Sequence, residues 1–204
     1  MNKINLIFDI DDTLIKTLLV KDNNQKNENL IKINNNYGNV LFRPYLKSFL
    51  KFCYKYFNVG FWTAGSCLYC KEIIKLILNE QQYFETTMIL ARDNNDYIDL
   101  KTNKFFKNII KDKIIKPLDI LWEDKTYSKI FNLKNTLLID DNSDILEINK
   151  NNYILVNEFE NKNDNDSFLC YLSNLLDLIK EYEDIRNIVL LKNISFDCNK
   201  INNN

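Results

Sequence analysis

The stretch Asn5-Leu6-Ile7-Phe8-Asp9-Ile10-Asp11-Asp12-Thr13-Leu14 reads as a buried strand that stops abruptly in three carboxylates and a hydroxyl. Ile4 to Phe8 is apolar without alternation, the pattern of a parallel strand covered on both faces. Asp9, Asp11 and Asp12 add nothing to a core, whereas the carboxyl end of a strand in an open α/β sheet is where ligands bind. Like charges so close together cost free energy unless a cation or a shared proton offsets them. The competing reading is local, with Asp12 or Thr13 capping a helix that follows.

Composition narrows the field. The chain has 204 residues, enough for one well-buried core, with 46% hydrophobic and 13% aromatic residues, so it is globular. A net charge of −1 argues against a basic grip on nucleic acid. There is no His, which excludes Ser-His triads, histidine general acids and most zinc sites. Five Cys, at 53, 67, 70, 170 and 198, together with no apparent secretory signal, predict an intracellular, reduced protein in nucleus or cytoplasm. No apolar run approaches the ~20 residues of a membrane span. Cys67-Leu68-Tyr69-Cys70 has the CxxC form, but without a second pair or a His it reads as helix packing before metal or redox use.

Outward from the first strand, strands and helices alternate. Val40 to Phe42, Asn58 to Thr63, Met88 to Leu90, Asn135 to Asp140 and Tyr153 to Val156 read as strands. Tyr45 to Tyr56 behind Pro44, Leu68 to Leu78, Ile120 to Trp122 and Ser167 to Tyr182 read as helices. Residues 15 to 36 read as loops around a short strand at Leu30 to Ile33, Arg92 to Asp96 as a turn, and Phe105 to Ile115 as a further element. The expectation is an α/β fold with a central, mainly parallel sheet flanked by helices.

Three of these strands end in groups suited to chemistry: Asp9 and Asp11 with Thr13, Thr63 with Ser66, and Asp140 and Asp141 with Asn142. Side by side in a parallel sheet, their tips would open into one crevice, with Lys116 nearby. Carboxylates and hydroxyls with room for water suit Mg²⁺. A phosphate held by a cation, a lysine and a hydroxyl is what phosphoryl transfer needs, since positioning and charge neutralisation dominate that chemistry.

The order DxDxT, strand-end Thr, Lys, then an acidic pair resembles the haloacid dehalogenase superfamily of phosphohydrolases. Within it the chain is similar to the small C-terminal-domain phosphatase and NLI-interacting-factor branch. The marks are Asp9-Ile10-Asp11-Asp12-Thr13-Leu14, Phe42-Arg43-Pro44, Phe61-Trp62-Thr63-Ala64, Lys116-Pro117-Leu118 and Leu138-Ile139-Asp140-Asp141-Asn142-Ser143, spanning roughly residues 4 to 182. The resemblance implies Asp9 as the nucleophile that forms an aspartyl-phosphate, and Asp11 as the acid and then base. It also implies Thr63 and Lys116 as phosphate contacts, and Mg²⁺ on Asp9, the Asp11 main-chain carbonyl and the Asp140/Asp141 pair. Whether Asp140 or Asp141 binds the metal directly stays open, because Asp141 stands where the branch often has Asn. Arg92 lies in the region of a substrate-binding Arg, and Arg43 reads as a structural anchor. Residues 1–185 are expected to form one domain, with 92–115 as a candidate lid insertion, and 186–204 a C-terminal tail.

Three functions compete. The first is a Mg²⁺-dependent phosphatase of phosphoserine or phosphothreonine in a protein, an RNA polymerase II tail among the candidates. The interval of about fifty residues from Asp11 to Thr63 holds no large cap to close over a metabolite. The second is a phosphatase of a small metabolite or a nucleic-acid end. The third is a catalytically silent binding or import subunit, against which the full set Asp9, Asp11, Thr63, Lys116 and Asp140/Asp141 argues. The expected partner is a phosphorylated protein or peptide, without membrane or direct nucleic-acid binding, and the oligomeric state is left open.

Overall fold

The computed structural model describes residues 3–18, 30–32, 38–107, 115–145, 148–149, 151–160 and 166–186. The polar stretches at 21–27 and 34–36, most of the element expected at 105–115, Cys198 and the tail from 187 onward lie outside the described residues.

The opening stretch forms β1 (Asn5–Phe8), and every one of its side chains is buried. It pairs in parallel with β5 (Asn58–Ser66) on one side and β9 (Thr136–Asp140) on the other. Beyond β9 lies β10 (Tyr153–Leu155), and beyond β5 lies β6 (Ile89–Asp93), both parallel. Two antiparallel strands, β7 (Asp96–Asp99) and β8 (Phe105–Phe106), finish that edge, giving the order β10-β9-β1-β5-β6-β7-β8.

Alternate residues of each strand face opposite sides, so the sheet divides the core in two. Leu6 and Phe8 pack with α1 (Leu46–Tyr56), α2 (Cys67–Ile77) and α5 (Phe168–Ile179). The rings of Phe8 and Phe49 meet edge to face at 5.4 Å. Ile7 points to the other face, among Trp62, Leu90, Tyr97, Leu121 and Tyr153, where the short α4 (Asp119–Trp122) lies. Each such side chain, wholly buried, contributes roughly 1.5–3 kcal/mol.

Several local expectations change. No helix follows Asp12 or Thr13; a tight loop, with Asp12 in the left-handed region at φ 60°, leads into β2 (Ile15–Leu18). That strand, read as loop, pairs with β4 (Asn39–Phe42), which also pairs with β3 (Leu30–Lys32), making a separate antiparallel sheet. β2 is only four residues long and buries Ile15 and Leu18 but not Lys16 and Thr17, so it leaves no alternation to read. The turn expected at 92–96 begins later, because Arg92 and Asp93 pair with Tyr97 and Asp96. Residues 96–106 extend the sheet edge as a hairpin. A further helix, α3 (Glu80–Glu85), is opened by a capping box of Asn79 and Gln82 that the sequence reading passed over.

Candidate active site

Because β5, β1 and β9 are neighbours, their carboxyl ends lie together as expected. Asp9 follows β1, its N–H donating to Ile139 O at 2.9 Å, and Asp140 ends β9. Between them lies the Lys116 ammonium, in contact with Asp9 Oδ1 and 2.6 Å from Asp140 Oδ2. All three side chains are buried. Burial works against the lysine's charge, but the two carboxylates outweigh it and hold its pKa above the ordinary value. Burial pushes the Asp9 carboxyl up to about 8, opposed by Lys116 and aided by Asp140.

Asp11 is near enough to Asp9 and Lys116 for their charges to act on one another. Burial raises its pKa, against hydrogen bonds from Tyr69 and Thr63. The Tyr69 hydroxyl donates to Asp11 Oδ1, and Thr63 Oγ1 lies 3.4 Å from Oδ2. Thr63 Oγ1 also accepts the Gly65 N–H at 2.9 Å. Thr13 donates to Asp141 Oδ1 at 3.0 Å, tying the first motif to the last. Asp9, Asp140 and Asp141 each offer an oxygen within 4.8 Å of the others'.

The acidic pair divides its work visibly. Both oxygens of Asp140 are engaged, Oδ2 by Lys116 and Oδ1 by the Asn142 N–H at 2.9 Å. Asp141 is less buried, and its hydrogen bond from Thr13 falls on one oxygen. Three carboxyl groups around one ammonium offer oxygen donors only, a set that suits a hard divalent cation, which would displace the protons that burial favours there.

Arg92 stands apart from this buried cluster. It is exposed on the rim, opposite Ser66 in the β5/β6 register. Arg43 is an anchor, as expected. It donates to Thr13 O at 2.9 Å and Asn157 O at 3.1 Å, pairs with Asp166 at 2.9 Å, and lies 4.6 Å from the Phe168 ring centroid. It thereby clamps the motif loop to the start of α5. Among the described residues no disulfide links Cys53, Cys67, Cys70 or Cys170, and Cys70 packs in the core.

The sequence reading missed the groups that hold Lys116 in place. Asn149 donates to Lys116 O at 2.9 Å and accepts the Leu118 N–H at 3.0 Å. Tyr97, on the edge hairpin, donates to Ile115 O at 3.0 Å, and the Tyr153 hydroxyl donates to Asn142 O at 2.6 Å and lies 3.0 Å from Asp140 O. It also missed Tyr69, which lies inside the CxxC stretch read as helix packing; neither Tyr69 nor Asn149 carries a local sign of its distant partner.

Residues 4–186 match the family model described as NLI interacting factor-like phosphatase. A CTD phosphatase-like protein, 355R, of Invertebrate iridescent virus 3 is 30% identical over 190 residues, covering 86% of this chain and 96% of that protein. Its counterpart in Invertebrate iridescent virus 6 is 31% identical over 139 residues, 66% of this chain and 71% of that one. Ubiquitin-like domain-containing CTD phosphatase 1 of Danio rerio is 28% identical over 72% of this chain but only 45% of its own length. Among solved structures, the RNA polymerase II CTD phosphatase Fcp1 shares the fold, with a TM-score of 0.53 and 19% identity over 96% of this chain. This chain spans 55% of that structure's length.

Proposed function

The chain belongs to the NLI interacting factor-like phosphatases and is a phosphoric monoester hydrolase, and on that premise we propose that it is a Mg²⁺-dependent phosphatase of phosphoserine and phosphothreonine in proteins. The observation behind the chemistry is Lys116 bridging Asp9 and Asp140, with the Asp11–Thr63 contact beside them. Asp9 attacks phosphorus and becomes an aspartyl-phosphate, while Asp11 gives its proton to the departing oxygen. Asp11 then takes a proton from the water that hydrolyses the phospho-enzyme. Lys116 and the Thr63 hydroxyl position the phosphoryl oxygens. Mg²⁺ would be held by Asp9, the Asp11 main-chain carbonyl and Asp141, and when bound it neutralises phosphate charge beside the nucleophile. Asp140, occupied on both oxygens, holds Lys116 in place of the metal.

A protein substrate is favoured because the chain between Asp11 and Thr63 forms the small sheet and α1, with no cap domain among the described residues. The relatives named as CTD phosphatases point the same way, which makes the RNA polymerase II tail the first substrate to try. The test is hydrolysis of 4-nitrophenyl phosphate and of a panel of phosphoserine and phosphothreonine peptides by wild type and Asp9→Asn, with Mg²⁺ and with chelator. Mg²⁺-dependent turnover of peptides that Asp9→Asn abolishes is expected. Turnover of aryl phosphate but of none of the peptides would overturn the protein-substrate reading. Folded, Mg²⁺-loaded protein inert toward all of them would overturn the catalytic one.

A further inference from the structure

Tyr69 is not among the residues that the phosphoryl-transfer steps above use, yet its hydroxyl touches one that they do. It lies on α2, buried, between Cys67 and Cys70. Its N–H reaches the N-cap oxygen of Ser66 at 3.4 Å. Its ring lies in space left open by Gly65, where a Cβ would come within 2.6 Å of Tyr69 Cδ1. So seated, the hydroxyl touches Asp11 Oδ1 and lies 2.7 Å from Thr17 Oγ1 on β2.

The proton inventory gives this contact a direction. A phenol has one proton, and an ionised carboxylate can only accept. Tyr69 therefore donates to Asp11, and the Thr17 hydroxyl donates to Tyr69. While Tyr69 donates to Oδ1, Oδ2 is the oxygen left to hand a proton to a leaving group. Oδ2 is the oxygen that faces Thr63, at 3.4 Å.

We propose that Tyr69, braced by Thr17, is a positioning residue that fixes the Asp11 carboxyl with Oδ2 turned toward the leaving group; this rests on the phosphatase reading above. In the step concerned, an Asp9 oxygen forms its bond to phosphorus as the ester P–O bond breaks. The leaving oxygen takes that electron pair and receives the proton from Asp11 Oδ2. An oxygen that leaves as a stable phenolate needs the proton little, and a poor leaving group needs it most. Loss of the brace therefore costs most where the leaving group is poor, which a general loosening of the fold would not reproduce.

The experiment is kcat/KM with Mg²⁺ across aryl phosphates from 4-nitrophenyl to phenyl phosphate, for wild type, Tyr69→Phe, Thr17→Val, Asp11→Asn and the Tyr69→Phe/Asp11→Asn double variant. Tyr69→Phe is expected to lose roughly tenfold more on phenyl than on 4-nitrophenyl phosphate. Thr17→Val should tilt the series the same way by less, and Tyr69→Phe should add little once Asp11 is Asn. Equal losses across the series, or full additivity with Asp11→Asn, would overturn the role. If Tyr69→Phe does not fold, the tilt in Thr17→Val decides alone. Failure of the phosphatase reading is separately visible with Asp9→Asn carried through the same series, since wild type and that variant would then behave alike on every ester.

Discussion

Lys116 Nζ lies 2.6 Å from Asp140 Oδ2, and both side chains are almost wholly buried, at 3% and 2% exposure. Removing one partner from a buried ion pair leaves the other charge desolvated and uncompensated. Lys116→Met is therefore expected to destabilise the metal-free protein by about 3–5 kcal/mol, read from urea unfolding in chelator. Added Mg²⁺ should recover part of that loss, because a cation replaces the missing ammonium. Wild-type stability in the variant would contradict this account.

The two acids of the last motif should separate in their effects. Asp141→Ala is expected to weaken Mg²⁺ binding at least about tenfold by calorimetry, with little change in unfolding of the metal-free protein. Asp140→Ala should instead lower stability, since it strips Lys116 of a partner and the Asn142 N–H of its acceptor. Reversed effects would assign the direct metal contact to Asp140.

Acidity makes a signed prediction for the metal-free protein. Burial raises Asp9 to about 8, and burial also raises Asp11 and Asp141. A carboxyl whose folded pKa lies above its unfolded value binds its proton more tightly in the folded chain. Stability from these groups is thus full below about pH 4 and declines as pH climbs toward 8. In chelator, Tm should fall by at least about 5 °C from this source between mildly acidic and mildly alkaline pH. Asp9→Asn should flatten the decline, and Mg²⁺ should raise Tm more at the alkaline end. A decline of the same steepness in Asp9→Asn would rule out Asp9 as its source.

Arg43 joins the loop of Thr13 to Asn157 and Asp166 while wholly buried. Arg43→Met is expected to cost about 3–5 kcal/mol, with Asp166→Ala costing less because water can reach the rim of that pair. Denaturant unfolding of both single variants and the double variant measures the coupling. An Arg43→Met loss below about 1 kcal/mol would show the clamp to be incidental.

The sequence by itself determined the chemistry on offer and the fold class. An apolar run ending in Asp9 and Asp11, another ending in Asp140 and Asp141, and Thr63 closing a third are local patterns, visible because a buried parallel strand has no polar positions to spare. Their order along the chain was enough to suggest the family. Only the tertiary structure decided that β5, β1 and β9 are neighbours, that Lys116 joins Asp9 to Asp140, and which oxygens of Asp140 and Asp141 are already engaged. It alone brought Tyr69 to Asp11, 58 residues apart, and Asn149 to Lys116. Those contacts join groups on separate elements whose meeting depends on how helix and hairpin pack on the sheet. A hydrogen-bonding side chain within an apolar pattern looks the same in sequence whether its partner is water or a catalytic acid.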